Sequence, residues 1–149
     1  MTATDLVIDD HLLLRVLLDE EPHELRPDGG RLFTTGLWYH RLGRALADAT
    51  VTGAMSRLLG DAAPRLAAGA VAAVTELPDT MGLISLRHLA WPMADLVASG
   101  ARLNLMSLEA LAAAQHLGAE LRLAAADANP PLLAAAAEQG IQVRLVSVH

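Results

Sequence analysis

Short apolar runs and longer stretches of helical periodicity take turns along the chain. Leu6-Val-Ile8 is apolar on both faces, as expected of a strand buried in a parallel sheet. It ends in Asp9 and Asp10, after which Leu12, Leu13, Val16 and Leu17 recur at helical spacing and predict a helix to about Leu18. Asp10 is the residue expected to cap that helix. The polar stretch 19–30, punctuated by Pro22, Pro27, Gly29 and Gly30, reads as a loop. A short apolar piece, Arg31-Leu-Phe33, leads to Thr34-Thr-Gly36, whose hydroxyls can cap a helix from about Leu37 through Leu46.

The pattern then turns helical for two further segments. Thr50 to Leu59 predicts a short helix ended by Gly60, and Asp61 to Thr75 an Ala-rich one with Pro64 in its first turn. Leu77-Pro-Asp79 breaks the run, and Met81-Gly-Leu-Ile-Ser-Leu86 reads as a second buried strand. The helix after it, Arg87 to Ser99, carries an interior Pro92 that should kink it or delay its start. Asn104 to Gly118 predicts a further helix, with Ser107 as N-cap and Glu109 in the first turn, where the helix dipole favours an anion. Glu120 to Ala124 is strand-like, and Asp127 follows in the connecting loop. Pro130 to Gly140 is a helix opened by Pro and closed by Gly, and Ile141 to Val146 alternates as a last strand at a sheet edge.

Strands alternating with helices predict an α/β chain: a three-layer α/β/α sandwich around a central parallel sheet of four to five strands. Neither a linker nor an internal repeat divides the 149 residues, so residues 1–149 read as one domain. In such sheets ligands sit at the carboxyl ends of strands, where Asp9 and Asp127 lie.

Composition narrows the chemistry. There is no cysteine, which removes disulfides, thiolate metal sites and thiol catalysis. There is no lysine, which removes Schiff-base chemistry and a Walker-type phosphate loop. The net charge of −6 argues against a broad basic face for nucleic acid. Hydrophobic residues make up 53% and charged ones 19%, more apolar surface than a monomer needs, so a homo-oligomer or a bound partner is expected. No apolar run is long enough to span a membrane, and Met1 to Asp5 lack the basic and apolar regions of a signal peptide, so the expected location is the cytoplasm. The six histidines show no metal-ligand spacing, and neither Ser85 nor Ser107 has an adjacent acid–base arrangement.

Several of these segments together resemble a PIN domain, the fold of VapC-type toxin ribonucleases. Val7-Ile-Asp9-Asp-His-Leu-Leu-Leu14 resembles the family's first strand, which ends in an Asp before a helix. Glu109-Ala-Leu-Ala-Ala-Ala-Gln-His-Leu-Gly-Ala-Glu-Leu121 is similar to its Asp-Ala-Leu helix and Leu-Gly turn into a strand. Ala125-Ala-Asp127, followed by Leu132 through Val143, resembles the strand end and the closing helix and strand. Order and spacing carry the likeness over nearly the whole chain, since each motif alone is a few common residues. The resemblance implies four acids around one or two Mg²⁺ or Mn²⁺ ions that activate water for hydrolysis of RNA phosphodiesters. Carried over, Asp9 is the first acid, Glu109 the third and Asp127 the fourth, as catalytic residues and metal ligands.

The chain departs from that pattern at the second acid. The family's Glu-Leu pair is Arg41-Leu42 here, the Ser or Thr two residues after the first Asp is His11, and the Thr two before the last acid is Ala125. Clustered carboxylates repel unless a cation lies among them. The planar guanidinium of Arg41 can supply that charge in place of a metal. Two unit charges 4 Å apart interact by about 4 kcal/mol at an effective dielectric of 20, enough to hold a closed ion-pair cluster. Two functions follow as expectations. One is a PIN-like protein with an incomplete metal site, acting by binding as a homodimer or with an antitoxin-like partner. The alternative is a divergent Mg²⁺-dependent endoribonuclease using Asp9, Glu109 and Asp127, with RNA as its substrate.

Overall fold

The computed structural model describes residues 3–48 and 53–148. The order of elements is β1 (Leu6–Ile8), α1 (Asp10–Leu17), β2 (Leu32–Thr35), α2 (Gly36–Ala47), α3 (Ala54–Asp61), α4 (Pro64–Thr75) and β3 (Met81–Ile84). There follow α5 (Leu86–Ala98), α6 (Leu105–Leu117), β4 (Glu120–Ala124), a 3-10 turn (Ala125–Asp127), α7 (Pro130–Glu138) and β5 (Val143–Val146). The five strands form one sheet in the order β3-β2-β1-β4-β5, and every pairing is parallel. With helices on both faces this is the three-layer α/β/α sandwich expected from the sequence.

Strand alternation sorts the core into two halves. Val7, Leu121 and Leu123 pack on one face with Leu89, Leu111 and Leu132 from α5, α6 and α7. Leu6 and Ile8 point to the other, against Leu12, Leu13 and Leu14 of α1, Leu42 of α2 and Ala70 of α4. Helix α2 contributes to both, through Trp38 on one side and Leu42 on the other.

Several boundaries differ from the sequence reading, each for a local reason. The piece Arg31-Leu-Phe33 belongs to a strand, β2, which pairs with β1 and β3 and makes the fifth member of the sheet. Thr35 does cap α2, its hydroxyl accepting from Trp38 N, whereas Thr34 is buried in the strand and donates to the Ile8 carbonyl at 3.0 Å. Asp9, not Asp10, is the N-cap of α1. Asn104, not Ser107, caps α6 by accepting from Ser107 N at 2.8 Å, so the helix starts earlier and Glu109 lies beyond its first turn. Strand β3 is an edge strand with Leu83 exposed, not a fully buried one. Pro92 sits inside a helix that starts at Leu86 without delay. Gly60 is within α3 instead of ending it, and the predicted start of that helix at Thr50 lies outside the described residues. Among the described residues no helix is long and apolar enough to cross a membrane.

Chain order fixes where a crevice opens. From β1 the chain builds outward through β2 to β3, then returns to lay β4 against the other side of β1 and adds β5. The helices that leave β1 and β4 therefore diverge, and the gap between those two carboxyl ends is the switch point at which open α/β sheets bind ligands. Asp9 follows β1 directly, and Asp127 ends the turn that follows β4.

Candidate functional site

A cleft of about 230 Å³ occupies that switch point. Asp9, Arg41 and Asp127 supply its charged lining, and Asn104, Ser107 and Asn129 its uncharged polar wall, with Trp38 on the apolar side. The last two form a bridge between helices: Asn129 Nδ2 donates to Ser107 Oγ at 2.8 Å while its own Oδ1 caps α7 at Leu132 N. The sequence carries one trace of this wall, an Asn before the Pro130-Pro131 pair that opens α7.

Asp9 is buried and fully engaged. Its Oδ1 accepts from Leu12 N and its Oδ2 from Ala124 N, both at 2.9 Å, so one carboxyl ties the start of α1 to the end of β4. Burial pushes its pKa up to about 7, against the pull of those two backbone bonds, and the neighbouring Asp10 and Asp127 charges push the same way. Burial thus favours the neutral form of Asp9.

Asp10 is only 1% exposed, and nothing in the residue pattern beyond a helix cap marks it as part of the site. It is the partner of Arg41. Nε of the guanidinium meets Oδ2 and Nη2 meets Oδ1 at 2.8 Å, a two-point fork that locks both groups. The first cause holding the Arg41 pKa above its ordinary value is this bond to Asp10; the nearby Asp9 and Asp127 charges add to it. Arg41 therefore stands as a fixed cation at the mouth of the cleft. Next along α1, the ring of His11 lies 3.2 Å (Nδ1) from Asp127 Oδ2, tying that half-exposed carboxylate to α1.

Glu109 has a different station. It is completely buried, and its Oε1 accepts from Leu37 N at 2.8 Å in the first turn of α2. This is an anion at a helix N-terminus, but the terminus belongs to α2 and not to Glu109's own helix. Its Oε2 is buried with no hydrogen-bond partner, beside Gly36. Glu109 does not line the cleft that holds Asp9 and Asp127.

The donor set can be compared with what a hard divalent cation requires, several free oxygens converging on one point. Both Asp9 oxygens accept backbone N–H groups, Asp10 is taken by Arg41, and Asp127 is tied to His11. Among the described residues no three His, Asp or Glu side chains lie close enough to share an ion. As arranged, with a guanidinium already at the mouth, these residues do not fit Mg²⁺ or Mn²⁺. The chain matches no family model and no curated protein.

Proposed function

We propose that this chain is a PIN-like domain that works by binding, with Arg41 standing in the place of a metal ion. The observation that carries the reading is the two-point pair of Arg41 on the buried Asp10. A guanidinium fixed there compensates the carboxylates internally and repels a divalent ion entering the same cleft. On this reading the domain acts through a protein surface, with a second copy or a small antitoxin-like protein as partner, and RNA is not its substrate.

The second reading, a Mg²⁺-dependent endoribonuclease built on Asp9, Glu109 and Asp127, is favoured by one observation: a buried Glu109 oxygen without a partner is a group that lacks a counter-charge. RNA cleavage in Mg²⁺ and Mn²⁺, measured for the wild type and Asp9→Asn, separates the two. The binding reading expects no cleavage above background for either. Cleavage by the wild type that disappears in Asp9→Asn overturns it.

A further inference from the structure

No local spacing marks a metal site among the histidines, but the fold brings two of them together. His88 is the third residue of α5, and His116 is the last but one of α6. The chain leaves the end of α5 and enters the start of α6 after a short connection, so the two helices form a hairpin. His88 and His116 meet at its open end, with ring centroids 5.5 Å apart and ring planes 20° from parallel. Leu89, Met93 and Leu96 of α5 share one buried core with Leu108 and Leu111 of α6, which fixes the spacing of the two backbones. Both histidines are exposed, and neither makes a hydrogen bond or ion pair with another described residue. His11, by contrast, is already engaged through Nδ1 by Asp127.

Each neutral imidazole carries one nitrogen lone pair, and imidazole is a preferred ligand of late first-row divalent ions. With metal–nitrogen bonds of about 2.0–2.1 Å and a tetrahedral angle, two imidazoles on one ion hold their centroids about 5 Å apart. The separation of His88 and His116 lies close to that value.

We propose that His88 and His116 form a two-histidine site for a divalent transition ion of the Zn²⁺ class, with water in its remaining positions. Turning the two exposed rings about their own side-chain bonds aims one nitrogen of each at a shared ion. The ion then closes the open end of the α5–α6 hairpin. Because the two histidines are brought together only by folding, it binds the native chain in preference to the unfolded one and stabilises the fold. Mg²⁺ and Mn²⁺, which favour oxygen ligands, are not held there. Neither histidine lines the acidic cleft, so the site stands or falls independently of what the cleft does.

Calorimetric titration of Zn²⁺ into the full chain, with thermal unfolding and sedimentation in the same buffer, tests the proposal. Circular dichroism confirms that each variant is folded. The wild type should bind Zn²⁺ saturably at submillimolar concentration without a change in mass. Its unfolding midpoint should rise by roughly 3–6 °C once free Zn²⁺ is about tenfold above the dissociation constant. His88→Gln and His116→Gln should each weaken binding by about tenfold or more and remove most of that rise, since one imidazole alone is no chelate. His23→Gln, at an exposed histidine elsewhere, should behave as the wild type. No saturable Zn²⁺ binding by the wild type overturns the proposal and leaves the two rings as a stacking contact. So does binding that survives either His88→Gln or His116→Gln, or a Zn²⁺-dependent increase in mass, which would mean that the ion bridges separate copies.

Discussion

The guanidinium of Arg41 in α2 closes on both carboxylate oxygens of Asp10, the first residue of α1, and so links the helices that follow β1 and β2 across the mouth of the sheet. Asp10 is buried whereas Arg41 is half exposed, so the pair is lopsided: its carboxylate depends on the guanidinium far more than the reverse.

Removing Arg41 should therefore cost more than the loss of an ordinary surface pair. Arg41→Ala leaves a buried carboxylate without its cation, for which about 2–3 kcal/mol is expected, below the full buried-pair figure because water can reach the vacated side. Arg41→Lys keeps the charge but loses the fork, and should recover only part of that stability. Urea denaturation at pH 7 measures both, and a loss below about 0.5 kcal/mol for Arg41→Ala would show that the pair holds nothing together.

Asp9 gives stability a defined pH dependence. Its pKa rises from 3.8 in the unfolded chain to about 7 in the folded one, so protonation favours the fold. That contribution is complete below about pH 4 and is lost as pH rises through 7, a swing of up to about 4 kcal/mol. Apart from other groups, the denaturation midpoint should fall between pH 5 and pH 8. Asp9→Asn should flatten the slope while adding a constant cost of about 1 kcal/mol, because an amide nitrogen cannot accept from Leu12 N or Ala124 N. Equal slopes for the two proteins would contradict the assignment.

Glu109 serves the fold as the acceptor for Leu37 N. Glu109→Gln keeps an oxygen for Leu37 N and fills the same space, so a change within about 1 kcal/mol is expected. Glu109→Ala empties the site and strands the Leu37 N–H, and should cost about 2–4 kcal/mol. Thermal unfolding of the two variants separates these outcomes; equal losses would mean that the charge itself is required.

Gly30 should tolerate no side chain. Its φ is +116°, and a Cβ there would lie 2.4 Å from the Thr4 carbonyl oxygen, a backbone atom that cannot rotate away. Gly30→Ala is expected to destabilise by about 2 kcal/mol or more, through both the strained φ and a forced shift of the segment before β1. A denaturation midpoint unchanged from wild type would exclude that close approach.

Much of this architecture was legible in the residues, and the exceptions share a cause. Leu6-Val-Ile8 and the helix after it were readable because a strand buried on both faces leaves a continuous apolar run. Strand β2 was not, because Leu32-Phe-Thr-Thr35 is four residues long and its two threonines read equally well as helix caps. The neighbouring acids Asp9 and Asp10 exchanged roles for the same reason: either carboxylate can cap, and only the position of Ala124 N at the end of β4 gives the cap to Asp9. The α6 boundary moved because Asn104 and Ser107 are both good caps three residues apart. The earlier start puts Glu109 beyond the first turn of α6, where it is buried. The charge compensation expected of Arg41 was visible as residue types, but its partner Asp10, the His11–Asp127 contact and the Asn129–Ser107 bridge depend on tertiary geometry that no local pattern encodes.

Whether Arg41 occupies the cleft in place of a metal is decided by a calorimetric titration of Mn²⁺ into the wild-type protein at pH 7. No saturable heat is expected at millimolar Mn²⁺. Stoichiometric binding that is abolished by Asp9→Asn would contradict it and return the cleft to the metal-dependent class.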